Sequence, residues 1–299
     1  MPSIIHYTNC PVCGSTDILF VFTVKDYTVS GQTFEIWECK FCTLRFTQDI
    51  PDFTSIGPYY KSEDYISHSN TSKGLISRLY KAVRNRSLFQ KRKLIEKITG
   101  LRKGKLLDLG SGIGSFMDEM VHHGWDVTGI EPDRDARTAA LRLYKITLTG
   151  NDHFDELPAN SFDVITLWHV LEHVHDLHDY VILLKKLLKE NGKIFIAVPN
   201  YTSYDGMKYG AHWAAYDVPR HLYHFSPASM KWLLNTAGFQ LTEEVPMWWD
   251  SFYISLLSEK YAGGHSPMLK GFFSGALSNM KARTDREKCS SLIYIAKKA

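Results

Sequence analysis

The segment Lys105–Phe116, with the sequence KLLDLGSGIGSF, constrains the fold more than any other part of the chain. Its first five residues form a short apolar run that is typical of a buried parallel strand, and residues 116–121 have the pattern of a helix start. Glycines at 110, 112 and 114 lie between the two, where they allow a sharp turn and close approach of a ligand. The segment therefore predicts a strand, a ligand-binding loop and a helix of an α/β fold.

Two carboxylates flank this loop, and the first of them argues against a phosphate ligand. Dinucleotide-binding loops have glycines in the spacing Gly-x-Gly-x-x-Gly and hold a pyrophosphate at the helix N-terminus. Here the spacing is Gly-x-Gly-x-Gly, and Asp108, just before it, would repel a polyphosphate. A second strand over Asp126–Ile130 ends in Glu131, where an acid can accept hydrogen bonds from both hydroxyls of a ribose. Although Glu131-Pro132-Asp133 is also a good helix start, the two acids at this spacing favour a cationic nucleoside cofactor.

Four segments mark successive strand ends from Lys105 onward: LLDLGSGIGSF, GIEPD, FDVITLWHVLEHV and NGKIFIAVPN. In this order they resemble the class I S-adenosylmethionine-dependent methyltransferase family. The resemblance implies S-adenosylmethionine as the cofactor, with Asp108 facing the ammonium of its methionine portion and Glu131 holding its ribose. Many relatives bind the adenine with an aspartate after the third strand, where NDHFDELP places His153 or Phe154. The residues expected at the cofactor are Asp108, Gly110, Ser111, Gly112, Gly114, Phe116, Glu131, Pro132, His153, Phe154, Trp168 and Tyr60.

Strand and helix patterns alternate from residue 101 onward, as in a mainly parallel sheet with helices on both faces. The resemblance implies a doubly wound, Rossmann-like methyltransferase sheet of seven strands. A helix is clearest over Asp176–Lys189, and a basic helix over Gly74–Thr99 precedes the first strand, its charges indicating a solvated face. Residues 43–72 read as a connector that passes over the cofactor pocket. Strands are expected near 105–109, 126–130, 146–149, 162–168, 193–198, 240–247 and 290–297.

Four of the five cysteines form two C-x-x-C pairs, Cys10/Cys13 and Cys39/Cys42. Two such pairs supply the four thiolates of a closed, structural zinc site, and short strands over 19–24 and 33–38 lie between them. The alternatives are a redox pair or cysteines packed in a core. Cys289 is unpaired and expected to be packed. The sequence thus predicts a β-rich zinc ribbon at residues 1–50, a connector and helical lid at 51–100, and a methyltransferase domain at 101–299.

Histidines are dense where ligands of a doubly wound sheet bind. His169, Glu172 and His173 follow the fourth strand at i, i+3 and i+4, so that a helix would place them on one face. The next strand is followed by a long loop, to residue 225, that is rich in aromatic and titratable side chains and is a candidate substrate wall. Methyl transfer from a sulfonium requires alignment of the acceptor and removal of its proton, a task that histidine performs near neutral pH. The catalytic candidates are His169, Glu172, His173, His221 and His224.

Two finer resemblances bear on this region. The segment HVLEH resembles the ubiquinone-type O-methyltransferases, some of which hold a divalent cation with an acid and a Glu-His pair. Here His169 stands in place of the first acid, and magnesium prefers oxygen ligands, so we predict no second metal. A zinc module ahead of the catalytic domain is similar to certain sugar methyltransferases, in which a Glu-His or Tyr group serves as base. Those relatives have a further C-terminal domain after the last strand, so the resemblance covers the zinc module and the catalytic domain only.

Composition limits the remaining choices. With 299 residues, 44% of them apolar, the chain can form one full core and a small module, and a net charge of +3 is too slight to imply nucleic acid. No secretion signal or membrane-length apolar run is evident, so we expect a cytoplasmic protein. The leading hypothesis is methylation of a small molecule or glycan. The alternatives are an RNA methyltransferase, favoured by the basic helix, and a scaffold that binds a partner through its ribbon. The acceptor, the oligomeric state and the role of residues 248–281 stay open.

Overall fold

The computed structural model describes residues 3–61 and 75–299, with the side chains of the first helix described from residue 83. Its strands are β1 (Ile4–Ile5), β2 (Ile18–Lys25), β3 (Thr33–Cys39), β4 (Arg45–Thr47), β5 (Ile50–Pro51), β6 (Lys105–Leu109), β7 (Asp126–Ile130), β8 (Phe162–Trp168), β9 (Leu188–Pro199), β10 (Tyr223–His224), β11 (Phe239–Pro246) and β12 (Ser291–Lys298). Its α-helices are α1 (Leu75–Thr99), α2 (Ser115–His122), α3 (Arg134–Tyr144), α4 (Leu177–Leu187), α5 (Tyr204–Tyr209), α6 (Pro227–Thr236), α7 (Asp250–Tyr261) and α8 (Pro267–Thr284).

The larger sheet confirms the predicted α/β class. Its order is β11–β12–β9–β8–β6–β7, and its strands run parallel except for β12, which is antiparallel to both of its neighbours, β11 and β9. Neighbouring residues of β6 point to opposite faces, so Leu106 packs in the cluster that contains Ile95, and Leu107 in the cluster that contains Val181. Both faces are covered by helices, which explains why the strands read as continuous apolar runs.

Among the described residues this sheet has six strands rather than the seven that the resemblance implies. The expected strand at 146–149 makes an isolated parallel bridge between Thr149 and Ile130. Thr149 donates to Gly129 and accepts from Glu131, and the chain then enters the 3-10 helix Asn151–Glu156. The segment is thus a single point of pairing at the sheet edge because the chain turns away directly after it.

The N-terminal region forms a second sheet, with the order β10–β4–β3–β2. Strands β2 and β3 match the expected strands at 19–24 and 33–38, and the turn between them is held by Asp26, which accepts hydrogen bonds from the backbone of Thr28 and Ser30. Strand β10 belongs to the long loop after β9, and it pairs with β4 through Tyr223 and Phe46. The predicted ribbon and the predicted substrate wall therefore share one sheet.

Helix α1 is described over Leu75–Thr99 and ends at the predicted residue. The expectation that its charges form a solvated face is wrong for Lys91 and Arg92. Arg92 is buried and paired with Glu96 and Glu119, because the helix packs against α2. Part of the predicted connector, 62–74, and the charged side chains at 78 and 81 lie outside the described residues.

Helices α7 and α8 form a tight antiparallel hairpin that covers most of the 248–281 insertion and ends at Thr284. A Cβ at Gly271 or Gly275 would meet the backbone of α7, so the close approach requires glycine at these two positions. Within the part of the chain that the structure describes, no helix combines the length and apolarity needed to cross a membrane. The hairpin places Asp250, the first residue of α7, at the carboxyl end of β8.

Candidate active site

The loop after β6 has the backbone conformation that its glycines predict. Gly110, Gly112 and Gly114 all have positive φ angles, of 62°, 54° and 81°. A Cβ at Gly110 would clash with the side chain of Val170, which follows β8. The loop can therefore adopt this turn, and lie against the neighbouring strand end, only with glycine at these positions.

Glu131 lies beside this loop, where the sequence pattern places it. Its Oε2 accepts a hydrogen bond from the backbone N–H of Gly112 at 2.7 Å, and its Oε1 accepts one from that of Asp133 at 2.9 Å. Burial raises the pKa of this carboxyl above its ordinary value, although both amides oppose the shift. Each carboxylate oxygen keeps a further lone pair, so the group that fixes the loop can also accept hydrogen bonds from ligand hydroxyls.

Asp108 is 1% exposed at the end of β6. Burial raises its pKa to about 7, although a 2.6 Å hydrogen bond from Thr166 Oγ1 favours the charged form. Lys91 of α1 approaches the same place, with Nζ 4.2 Å from the centre of the Trp168 ring. Burial lowers the pKa of Lys91 to about 8, against the attraction of Asp250 and Asp108. No local sequence pattern predicts Lys91, Thr166 or Asp250 at this site, since nothing in the sequence separates them from other residues of their types.

The other predicted cofactor residues are dispersed around this loop. Phe116 packs edge-on against Trp168 with ring centres 5.4 Å apart, beside the loop. His153 is 48% exposed and pairs with Glu156 at 2.9 Å, while Phe154 packs against Tyr180. Ser111 Oγ donates to the backbone carbonyl of Asp108, and Pro132 is exposed. Tyr60 lies elsewhere, with its hydroxyl 3.2 Å from Nδ1 of His173.

His169 is held between two carboxylates. Its Nε2 lies 2.9 Å from Oδ2 of Asp250 and its Nδ1 3.3 Å from Oε1 of Glu172. Burial lowers its pKa, but Asp250 and Glu172 outweigh this and carry the pKa to about 10. His169 is therefore an imidazolium at neutral pH and has no lone pair available to accept a proton.

His173 and His221 face each other edge to face, with ring centres 4.6 Å apart. Nδ1 of His173 donates to the carbonyl of Arg220 at 2.9 Å, and Nδ1 of His221 donates to that of Ala215 at 2.8 Å. Because a carbonyl can only accept, both rings carry a proton on Nδ1. Burial, followed by His221, lowers the pKa of His173 to about 4, so this ring is neutral at physiological pH.

Glu172 completes this group. The residue is 0% exposed, and no described residue donates to either of its carboxylate oxygens with hydrogen-bond geometry. Glu172, His173 and His221 each offer one ligand atom, and these atoms lie within 4.8 Å of one another. We call these three residues the lone-pair cluster. The predicted helix is a 3-10 turn over Leu171–His173, and His169 precedes it with a positive φ of 59°, so the residues converge without sharing a helical face.

His224 does not join the lone-pair cluster. It lies in β10, is 3% exposed, and its Nε2 is 3.1 Å from the hydroxyl of Thr47 in β4. Burial holds its pKa well below the ordinary value. Its side chain therefore lies in the contact between the N-terminal sheet and the long loop after β9. Of the five catalytic candidates, the structure brings together the other four.

Arg220 anchors the segment that carries His221. Its guanidinium is 1% exposed, and Nη2 lies 2.6 Å from Oδ1 of Asp217 and 3.0 Å from Oδ1 of Asp26. Its Nη1 donates to the backbone carbonyl of Tyr59. The turn between β2 and β3 thus reaches the loop of the active site, a contact between residues 194 positions apart that no sequence spacing indicates.

The cysteines form a second cluster, at the end of the N-terminal sheet. Sγ of Cys10 is 3.5 Å from that of Cys42, and Sγ of Cys13 is 3.5 Å from that of Cys39. All four sulfurs lie within 4.8 Å of one another and none is in a disulfide. The hydrogen bond with Cys42 lowers the pKa of Cys10 to about 5, so one thiol of the group is ionised first. Such a set can bind a soft metal ion.

A family model described as a methyltransferase domain matches residues 80–244, more than half of the chain. The ubiquinone biosynthesis O-methyltransferase of Vibrio atlanticus is 36% identical over 115 residues, which cover 36% of this chain and 48% of that protein. The corresponding protein of Glaesserella parasuis is 32% identical over 143 residues, which cover 44% of this chain and 61% of that protein. The chain spans about half the length of the curated relatives it matches.

Among solved structures, one from Galdieria sulphuraria, provisionally assigned as a sarcosine dimethylglycine methyltransferase, matches 71% of this chain and 86% of its own. The TM-score is 0.51 at 14% identity, so this likeness concerns the fold alone. The family model covers the glycine loop, Glu131 and the lone-pair cluster as well as the parallel strands that carry them. The chain therefore belongs to the class I S-adenosylmethionine-dependent methyltransferase family.

Proposed function

We propose that the protein transfers a methyl group from S-adenosylmethionine to a hydroxyl group of a small-molecule or glycan acceptor. One observation carries the proposal: the acid-flanked glycine loop and the lone-pair cluster lie at the carboxyl ends of the adjacent strands β6 and β8. Ligands of doubly wound sheets bind at this edge. The names of the two O-methyltransferase relatives support oxygen as the acceptor atom.

The cofactor pocket uses three charged groups in this proposal. S-adenosylmethionine supplies a methyl group bonded to a positively charged sulfur. Asp108 attracts the ammonium of the methionine portion, and Glu131 accepts hydrogen bonds from the ribose hydroxyls, as the two acids flanking the loop favour. Lys91, whose ammonium lies against Trp168, attracts the methionine carboxylate. Charges of both signs at one end of the pocket match the zwitterionic end of the cofactor.

The transfer itself is an in-line displacement. A bond forms between the acceptor oxygen and the methyl carbon while the bond from that carbon to sulfur breaks, and the acceptor loses its proton. His169 is already protonated at neutral pH, so we assign it to positioning through Asp250 rather than to proton removal. We assign deprotonation of the acceptor to the lone-pair cluster as a unit, since His173 is neutral at physiological pH and no described residue donates to Glu172 with hydrogen-bond geometry.

We also infer that the four cysteines hold a structural zinc ion. Tetrahedral zinc with Zn–S bonds of about 2.3 Å places its sulfurs about 3.8 Å apart, close to the 3.5 Å separations observed here. Four thiolates fill all positions around the ion, so such a site leaves none for substrate. Its role would be to hold the end of the sheet to which β10 adds.

The test is transfer of label from methyl-labelled S-adenosylmethionine to a panel of catechol-like phenols, nucleotide sugars and total RNA at low salt. We expect label in a phenol or sugar fraction, together with binding of S-adenosylhomocysteine by calorimetry. Label confined to RNA would favour the RNA alternative, although Lys91 and Arg92 are engaged within the protein rather than presented to a nucleic acid. Absence of cofactor binding would refute the proposal.

A further inference from the structure

Helix α8 has large apolar side chains on its exposed side and small side chains on its buried side. The buried side, which packs against α7 and the rest of the protein, consists of Gly271, Ser274, Gly275, Ser278 and Ala282. The opposite side carries side chains that are 38–68% exposed: Met268, Leu269, Phe272, Phe273, Leu277 and Met280. We call these six residues the outer face. A helix that served only to cover a core would have the reverse distribution.

The outer face forms one continuous strip. With the spacing of an α-helix, its six members fall within about half of the helix circumference. Together they expose about 700 Å² of largely apolar surface, since a fully exposed side chain of this size offers about 200 Å². The largest apolar patch on an ordinary monomer is about 300–600 Å². The size of the outer face therefore marks it as a contact site.

The outer face contains no hydrogen-bonding side chain. All serines of α7 and α8 are buried. Ser278 Oγ donates to Oδ1 of Asp205 at 2.7 Å, and Ser251 Oγ donates to Oδ1 of Asn279 at 3.0 Å. Interfaces between proteins usually place one hydrogen bond in every 100–200 Å², about. The outer face therefore suits contact with hydrocarbon better than contact with another protein.

The exposed charges beside the outer face are all positive. Residues 260–284 contain no Asp or Glu, and their charged side chains are the exposed cations Lys260, Lys270, Lys281 and Arg283. The two acids of α7 are turned inward, since Asp250 pairs with His169 and Glu259 is buried. By helical spacing, Lys270 and Lys281 lie along the same border of the outer face. The hairpin thus combines an apolar strip with a row of unneutralised cations.

We propose that the outer face docks on an anionic lipid surface, with α8 lying in the plane of the headgroups. Helices bind in this way when their large apolar side chains enter the boundary of the acyl chains and their cations stay among the headgroups. Two copies of the hairpin placed face to face would instead bring cations together without any acid between them. The charge of the hairpin therefore favours a lipid surface over a second copy of the chain.

The hairpin joins this surface to the active site. Its first residue is Asp250, whose Oδ2 lies 2.9 Å from Nε2 of His169 at the end of β8. A chain docked through the outer face therefore holds its active site near the lipid, where an acceptor carried on a lipid would be presented. Only this last step rests on the proposed function; the docking itself does not.

Co-sedimentation of the full chain with lipid vesicles tests the docking. We expect binding to vesicles of phosphatidylcholine and phosphatidylglycerol that weakens at high salt, and much weaker binding to phosphatidylcholine alone. L269S/F273S should weaken binding to the mixed vesicles about tenfold or more. Phe272 is left unchanged in this variant because it stacks on Phe252. The matched control is L141S/L143S, at two similarly exposed leucines of α3, which should bind as the unsubstituted chain does.

Reversal of charge tests the contribution of the cations. K270E/K281E should weaken binding to the mixed vesicles about tenfold or more, because two attractions become two repulsions. K97E/K103E changes the net charge by the same amount at exposed lysines near the start of β6 and should have little effect. Thermal unfolding shows whether each variant is folded.

Three results would overturn the proposal: no sedimentation of the unsubstituted chain with the mixed vesicles, equal binding to phosphatidylcholine alone, or binding by folded L269S/F273S or K270E/K281E equal to that of its control. A dimer, measured by light scattering without lipid, that L269S/F273S dissociates would assign the outer face to a second copy instead. None of these results bears on label transfer, which tests the proposed function separately.

Discussion

Nε2 of His169 lies 2.9 Å from Oδ2 of Asp250, which joins the end of β8 to the first residue of α7. The two residues are 81 positions apart in the chain. The contact fixes the helical hairpin of the 248–281 insertion at the edge of the sheet where the lone-pair cluster lies. It also keeps one histidine of the active site in its charged form.

Replacement of Asp250 by Asn should lower the pKa of His169 from about 10 toward the ordinary 6.5. Because the pKa of His169 is raised in the folded state, its charged form stabilises the folded protein fully below about pH 6.5. This stabilisation is lost as the pH rises to about 10. We expect D250N to cost about 2 kcal/mol near neutral pH, as for loss of a charge-assisted hydrogen bond. The difference in free energy of unfolding from the unsubstituted chain should shrink above pH 8. Urea denaturation at several pH values measures it.

The control for this change is D49N. Asp49 pairs with His6 at 2.7 Å, but both side chains are more than half exposed, so its loss should cost less than about 1 kcal/mol. Equal costs for D250N and D49N at neutral pH would show that the His169 pair is no stronger than a surface pair.

Replacement of Glu131 by Gln should weaken binding of S-adenosylhomocysteine about tenfold. Glu131 accepts hydrogen bonds from two backbone N–H groups, and the amide of Gln keeps only one acceptor oxygen for them, so the glycine loop and the ribose contact are both disturbed. Calorimetry measures the affinity, and E190Q, at an exposed glutamate of β9, is the control. The comparison separates the loss of the Glu131 contacts from a general effect of removing one negative charge. Unchanged affinity in E131Q would remove Glu131 from the cofactor pocket.

Lys91 and Lys93 provide a matched pair on one helix. K91M should weaken binding of S-adenosylhomocysteine about tenfold, because the attraction between its ammonium and the ligand carboxylate is lost. K93M should have no effect, since Lys93 is exposed and paired with Glu96. The pKa of Lys91 is about 8, so its contribution should be present below pH 8 and fade above it. Calorimetry at pH 7 and pH 9 tests both points; a K91M effect that persists at pH 9 contradicts the assignment.

Replacement of Cys39 by Ser should release the proposed zinc ion. The loss of one thiolate of four weakens a structural site strongly, and metal binding contributes several kcal/mol to the stability of small zinc modules. Metal analysis and thermal unfolding measure the two effects. C289S is the control, because Cys289 is buried near Met247 and far in sequence from both C-x-x-C pairs. Zinc retained by C39S as by C289S would show that the four cysteines do not act together.

The cofactor loop was predictable because its determinants are local or follow strand order. Asp108, the glycines and Glu131 lie at the ends of two neighbouring parallel strands, and the apolar runs that define those strands are evident in the sequence. The strand expected at 146–149 does not form beyond a single bridge at Thr149. The chain turns at Gly150, directly after this residue, so the edge segment cannot continue pairing.

The remainder of the active site depends on contacts that no spacing encodes. Lys91 and Asp250 come from elements about 80 residues before and after β8, and their charges resemble those of exposed residues until the helices pack. His221 and His224 are three positions apart in one loop, yet the first belongs to the lone-pair cluster and the second contacts the N-terminal sheet. Pairing of β10 with β4 decides which side each ring takes, and that pairing is long-range.

The pairing of β10 with β4 limits which segments can be exchanged between related proteins. Strand β10 completes a sheet whose other strands precede residue 48. The N-terminal module and the long loop after β9 therefore form one structural unit, although they are far apart in the chain. A chimera that exchanges the first fifty residues alone would leave Arg220 without Asp26 and the loop without its neighbouring strand. Transplants that preserve activity would have to carry residues 217–224 together with the cysteine module.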